Sequence, residues 1–193
     1  MKVIMAGLLL AAVGAGACAD VPTQDDPISG VSASARATVA APGNARTGFS
    51  LNGTVGQAVS LTGGGSADLI TASDVVPSET AVGSGGGFRC VAAVAQGPLA
   101  GCAAGEGVRW DAVQLLATTG FRCSGADAVK TSATGKENVV LLADFYRAGD
   151  GIEESFTARM IVSTSDIAAD VPGVQTLWVQ GVGCGDAAVR FSN

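Results

Sequence analysis

The chain of 193 residues carries 17 acidic and 11 basic side chains, a formal net charge of −6, and no histidine. The lack of histidine excludes Ser-His and Cys-His nucleophile systems. Together with the lack of a C-x-x-C motif, it also argues against a zinc or redox centre. The acidic balance gives no electrostatic basis for binding nucleic acid. The 28 glycines and the low charged fraction of 15% are typical of a chain built from strands and turns.

The first residues have the pattern of a secretory signal peptide. Lys2 precedes an apolar run from Val3 to Val13, and small residues follow. This run is shorter than the roughly 20 apolar residues that span a membrane, and the order of its parts is that of an export signal. We therefore predict a signal peptide over residues 1–17, whose removal takes away the positive charge of Lys2.

Two cleavage sites fit the end of this segment. The sequence AGAC, which ends at Cys18, resembles the lipobox of bacterial lipoproteins, and the resemblance implies cleavage before Cys18 and a lipid on its sulfur. The sequence ACA before Asp20 fits ordinary signal peptidase. Residues 18–46 favour the lipobox, because they contain no aromatic residue and no periodic apolar face. They therefore predict a flexible tether between an anchor and a folded domain.

We assign residues 47–193 to one β domain. Its first segment, GFSLNGTVGQAVSL, offers Asn52-Gly53 as a turn, although a two-residue loop there sets Phe49 against Gly56 and points to a longer turn. Further along, RWDAVQLLATTGFRC fits a helix from Asp111 to Ala117 and an extended segment equally well.

The four remaining cysteines predict two disulfides in an exported domain, and three pairings are open. These cysteines are Cys90, Cys102, Cys123 and Cys184. Short motifs recur in the same order, TGFSL with TGFRC and GCAAGEGVRW with GCGDAAVRF, which suggests two similar halves over 47–110 and 119–191. In that arrangement each half holds one disulfide, Cys90–Cys102 and Cys123–Cys184. Chance matching in a chain rich in glycine and alanine is the alternative.

The segment NVVLLADFYRAGDGIEESFTARMIVS predicts a β-hairpin about Asp150-Gly151, a favoured type I′ pair. The resulting register sets Phe145 against Phe156 and Leu141 against Met160, so that the apolar side chains share one face. On the other face Asp144 lies opposite Thr157 and diagonal to Arg159. Closer to the turn, Arg147 lies opposite Glu154.

The C-terminal segments VQTLWVQGVGC and AAVRF predict two further strands about a turn at Gly183 to Asp186, with Trp178 in the core. Taken together, the elements predict an all-β antiparallel fold, either a sandwich or an open barrel, with two disulfides.

We expect no catalytic residues, metal or cofactor. Clustered oxygens in GDGIEE are explained by the hairpin turn rather than by calcium. The best carboxylate candidates for glycoside hydrolysis are Asp144 with Glu153 or Glu154, or Asp111 beside Trp110. Arg159 near Asp144 and Arg147 near Glu154 explain those two acids as cross-strand ion pairs, and Asp111 fits a helix cap. The candidate binding residues are Tyr146, Arg159 and Asp144 on the polar hairpin face, with Trp110 as a further aromatic anchor.

These expectations combine into a non-enzymatic lipoprotein of the bacterial cell envelope. We expect it to act in binding, assembly or adhesion, with an envelope protein or a surface polymer as its partner. It would face the periplasm or the cell surface and touch the membrane only through its lipid; without the lipid it would be secreted or periplasmic. The alternatives are a periplasmic inhibitor of a lysozyme or protease, and a carboxylate-dependent glycan hydrolase.

Overall fold

The computed structural model of the protein describes residues 46–70, 82–95, 99–126, 128–147 and 156–192. The predicted signal peptide, Cys18, the tether up to residue 45 and the hairpin tip at Asp150-Gly151 lie outside the described residues. Within these ranges the chain forms ten β-strands, and no helix there is long and apolar enough to cross a membrane. The strands are β1 Arg46–Val55, β2 Val59–Asp68, β3 Val82–Cys90, β4 Arg109–Leu116, β5 Thr118–Phe121, β6 Lys130–Ala133, β7 Asn138–Tyr146, β8 Phe156–Ser163, β9 Leu177–Val179 and β10 Gly183–Ser192.

Eight of these strands close into a barrel in which each strand pairs antiparallel with the next. Their order is β1, β2, β3, β4, β7, β8, β9 and β10, and β10 pairs back with β1 from Gly48↔Ser192 to Val55↔Gly185. The all-β antiparallel prediction is therefore confirmed, and of its two forms the barrel is the right one. The barrel is closed rather than open, because the first and last strands hydrogen-bond to each other and leave no edge.

Apolar side chains fill the barrel interior. The predicted register of β7 and β8 is confirmed, with Phe145 opposite Phe156 and Leu141 opposite Met160. The Phe145 and Phe156 rings stack at 4.6 Å, and Phe88 meets both rings edge-on. An eight-stranded barrel is just wide enough for such packing, so the interior forms a core.

Trp110 belongs to this interior, which corrects its assignment as a binding residue. Its side chain is 0% exposed and its Nε1 donates to the Thr62 carbonyl at 2.9 Å. The segment is strand β4 and not a helix, and side chains alternate along a strand. Arg109 and Asp111 therefore point out of the barrel, and Trp110 between them points in. A side chain enclosed by the barrel wall cannot contact a partner while the barrel is folded.

A second apolar cluster lies on the outside of the barrel wall, beneath a small sheet made of β5 and β6. Phe121 from this sheet packs against Trp178, with ring centroids 5.8 Å apart. Val140 and Ile161, on the outward side of β7 and β8, belong to the same cluster. The prediction that Trp178 packs in a core is confirmed, although this core is outside the barrel.

Two turns lie at positions other than those predicted. The β1–β2 turn is at Gly56-Gln57, which have φ values of 57° and 56°, and Ala58 N–H donates to the Val55 carbonyl at 3.1 Å. This is type I′ geometry, whereas Asn52-Gly53 lies within β1. The β9–β10 turn occupies residues 180–182, because β10 already begins at Gly183.

The disulfides pair Cys90 with Cys102 and Cys123 with Cys184, as the two-half arrangement predicts. The recurring motifs themselves lie on unlike elements. TGFSL lies in barrel strand β1, whereas TGFRC begins in β5 of the outer sheet and runs to Cys123. The disulfide pairing therefore does not by itself establish a duplication.

Candidate functional site

The polar side chains of β4, β7 and β8 gather on the outer barrel wall, and we call this surface the Arg109 face. It consists of Arg109, Asp111, Asp144, Tyr146, Thr157 and Arg159. Strand pairing aligns these residues in rows, with Arg109 opposite Tyr146, Asp111 opposite Asp144, and Asp144 opposite Thr157. Side chains alternate along a strand, so the same alternation that buries Trp110 and Phe145 turns this set outward.

Arg109 is the most constrained member of the face. Its guanidinium carbon lies 4.1 Å from the centre of the Tyr146 ring, and its Nε donates to Asp111 Oδ2 at 2.8 Å. The hydrogen bond to Asp111, and then one to Tyr146, hold the pKa of Arg109 above its ordinary value. Both partners of the ion pair are half-exposed, so the guanidinium is positioned by two neighbours and still reaches solvent.

Two carboxylates stand directly opposite each other beside this group. Like charges in such positions destabilise a sheet, and each carboxylate here has its own partner. Asp111 accepts from Arg109, while Asp144 Oδ1 accepts from Thr157 Oγ1 at 2.6 Å. The face therefore holds balanced charges in fixed positions.

Arg159 connects the face to the outer sheet. Register places it diagonal to Asp144, as predicted, but its observed side-chain bond runs from Nη1 to Thr119 Oγ1 of β5 at 3.4 Å. The residue is exposed. Arg159 thus lies at the border between the Arg109 face and the small sheet.

The loop between β3 and β4 borders the opposite end of the face. Val108 N–H donates to the Tyr146 carbonyl at 3.0 Å, and the Val108 side chain is 52% exposed. Arg147, whose predicted partner Glu154 is outside the described residues, bonds Glu106 at 3.0 Å and the Gly101 carbonyl at 3.2 Å. An exposed apolar side chain therefore adjoins the Arg109–Tyr146 pair.

The hairpin register predicted four of the six residues of this face, Asp144, Tyr146, Thr157 and Arg159. Asp144, Tyr146 and Arg159 lie together as expected, while Arg109 and the Asp111–Asp144 pairing were missed. The signal that would have found them is the Arg-x-Asp spacing of β4, which places both charges on one side of a strand. Glu153 and Glu154 lie outside the described residues, as does Cys18. In the described part of the chain, no group of three or more acidic, cysteine or histidine side chains is arranged to hold a metal ion.

Comparison of the chain with protein-family models, curated proteins and solved structures gives no match.

Proposed function

We propose that this chain is a non-enzymatic, lipid-anchored protein of the cell envelope that binds an envelope partner through its Arg109 face. The observation that carries the proposal is the Arg109 guanidinium held over Tyr146 at 4.1 Å and tied to Asp111 at 2.8 Å. Arginine and tyrosine are among the residues enriched at interface hot spots. A pair already fixed in place loses less side-chain entropy when a partner binds.

The filled barrel interior supports an external site. Apolar side chains occupy the space that holds a ligand in other small barrels, so recognition falls to the outer wall and loops. On that wall, the small sheet covers part of the β7–β8 surface, and the Arg109 face lies beside it. The two disulfides agree with an oxidising, exported environment.

The test combines a thermal melt with capture of partners from detergent-solubilised envelopes. Tyr146→Ala with Arg159→Ala should change stability by about 1 kcal/mol or less, because both side chains lie on the surface. Capture should fall at least tenfold, since hot-spot residues contribute about 2 kcal/mol each. Normal melting with undiminished capture would place the partner elsewhere.

Phe145→Ala is the matched comparison, one residue away and fully buried. It should lose about 3 kcal/mol or more of stability and lose capture only through unfolding. The identity of the captured species separates the functions: a stoichiometric membrane complex supports an assembly or adhesion role.

An inhibitor of an envelope hydrolase is the second candidate, and the loop after β3 favours it. The Cys90–Cys102 disulfide closes this loop, and Val94 exchanges hydrogen bonds with Cys102 and Gly101 at 3.0 and 2.9 Å. Val91 at its start is 48% exposed. Residues 91–95 and 99–102, held by these contacts, are preorganised to meet an enzyme, and capture of a soluble hydrolase, lost in Val91→Asp, would support this role.

The Asp111–Asp144 pair favours a third candidate, glycan hydrolysis, because glycosidases use two neighbouring carboxylates. The pair lies on the barrel wall with each carboxylate bonded to Arg109 or Thr157. Turnover of cell-wall glycan by the purified chain, abolished in Asp144→Asn, would establish this activity in place of binding alone.

A further inference from the structure

A groove crosses the outer wall at the Cys123–Cys184 disulfide. One end of it reaches Gln180, which bonds the Arg159 backbone at the border of the Arg109 face. Two adjoining depressions of about 710 and 490 Å³ share Ser124 and Val182. Each volume lies within the range of ligand-binding pockets. We call the pair the disulfide groove.

One wall of the groove is the segment Val171–Gln175, which we call the strap. Two contacts hold it directly, and a third holds Asp170, the residue just before it. Asp166 Oδ1 accepts from the Gln175 N–H at 3.2 Å, Gln175 Nε2 donates to the Pro172 carbonyl at 3.1 Å, and Asp170 is paired with Lys130 at 2.7 Å. The bond from Lys130 also holds the pKa of Asp170 below its ordinary value. The strap is therefore preorganised before any ligand arrives.

The backbone of the strap is open to a ligand at its centre. Gly173 and Val174 make no backbone hydrogen bond with any residue in the described ranges, and the Val174 side chain is 55% exposed. Gln175 and Thr176 already use their backbone N–H and C=O groups within the chain, which leaves Gly173 and Val174 as the positions whose backbone groups can bond an incoming peptide. Gln57 lines the same depression and supplies a further amide donor and acceptor.

The two depressions of the groove carry side chains of opposite charge. Asp186 lines the larger depression and Arg122 lines the smaller one. A ligand with a cationic group at one end and an anionic group at the other complements both. Val129, which is 65% exposed, adds an apolar contact at the Arg122 end.

A sugar fits these walls less well than a peptide. Sugar recognition commonly uses an open aromatic face, and the rings that line the groove, Phe121 and Trp178, are buried in the outer core. Main-chain groups, side-chain amides and small aliphatic contacts are the means by which proteins recognise extended peptides. We propose that the disulfide groove binds an extended peptide segment of a partner, with a basic residue near Asp186 and an acidic residue near Arg122.

The test is selection of a random octapeptide library on the immobilised full chain with both disulfides intact. Selected peptides should carry a basic and an acidic residue at fixed, separated positions. Their affinity should fall at least tenfold for Ser124→Trp, which fills the shared centre of the groove, and for Val174→Glu on the strap. Asp186→Lys should select against the basic residue.

Two controls keep the outcome interpretable. Ile70→Glu alters an apolar side chain outside the groove that is as exposed as Val174, at 56%, and should leave affinity unchanged, and Tyr146→Ala with Arg159→Ala should do the same. Failure to select any peptide, or peptides that bind Ser124→Trp and Val174→Glu as tightly as the parent chain, would overturn the proposal. Peptides lost only in the Tyr146→Ala and Arg159→Ala variant would assign peptide binding to the Arg109 face instead.

Discussion

Single glycines decide how closely β2 and β3 approach each other beside Trp110. A Cβ built at Gly86 would lie 1.9 Å from the Thr62 carbonyl oxygen, the same oxygen that accepts the Trp110 indole N–H. Gly63, with φ of 134°, is as crowded, since its Cβ would lie 2.3 Å from the Gly85 carbonyl oxygen. Side chains at these positions would push the two strands apart and disrupt the hydrogen bond from the Trp110 indole to the Thr62 carbonyl.

We therefore expect Gly86→Ala to lose about 3 kcal/mol of stability through overpacking. Gly83→Ala, three residues earlier on the same strand, is the matched control because a Cβ there meets nothing within 4 Å. It should melt within about 0.5 kcal/mol of the parent chain. Denaturant unfolding of the two variants checks the difference, and equal stability would contradict this account of the barrel wall.

At the scale of elements, the small sheet of β5 and β6 covers the outer core and is tied to the barrel by a disulfide. We call this sheet the flap. The Cys123–Cys184 bridge links the end of the flap to β10 across a separation of 61 residues. Loop closure of this length stabilises a fold by roughly 4 kcal/mol, compared with roughly 3 kcal/mol for the shorter Cys90–Cys102 loop.

Replacing Cys123 and Cys184 by serine should release the flap while the barrel stays closed. The two tryptophans report the two cores separately, since Trp178 lies under the flap and Trp110 inside the barrel. Amide hydrogen exchange should become faster across 116–134. In variants that keep a single tryptophan, a dissolved quencher should reduce the fluorescence of Trp178 but not that of Trp110. The control replaces Cys90 and Cys102 by serine and should leave the flap protected from hydrogen exchange. Equal protection of the flap in both double variants would show that the Cys123–Cys184 disulfide does not hold it.

Local patterns explain which elements could be predicted from the sequence. The β7–β8 hairpin was predictable because its turn, apolar alternation and cross-strand pairs all agree. In β4 the register shifts between Ala112 and Gln114, a bulge that breaks the alternation and left helix and strand equally plausible. The β1–β2 turn was misplaced because Gln57 has a positive φ, which glutamine rarely adopts and which the sequence therefore does not predict. Asn52-Gly53 has the sequence favoured for a turn but lies within β1.

At the scale of the whole molecule, barrel closure depends on pairing between β1 and β10, which are separated by most of the domain. No local pattern encodes this contact, so the sequence indicated the strands without their closure. The same limit applies to the candidate site. Tyr146, Asp144 and Arg159 belong to one hairpin and were found, whereas Arg109 and Asp111 join them only through the pairing of β4 with β7.

A lipid on Cys18 would hold the protein at a membrane surface. Cys18→Ser should abolish lipid attachment, because the thiol is the acceptor that the lipobox resemblance implies. Metabolic labelling with a fatty-acid analogue, followed by fractionation of the envelope, measures this directly. Equal labelling of variant and parent chain, or labelling of neither, would remove the lipoprotein assignment and leave a secreted barrel.

The most direct test of partner binding at the Arg109 face is photo-crosslinking in intact cells. A benzoylphenylalanine placed at Thr157, which is exposed and bonded to Asp144, should give one discrete crosslinked species. The same group at Asn52, equally exposed but on β1 four strands away from β7 around the barrel, should give none. The Thr157 product should disappear when Arg109→Ala is added. Crosslinking from Asn52 but not from Thr157, or a Thr157 product that persists in Arg109→Ala, would contradict the assignment of this face.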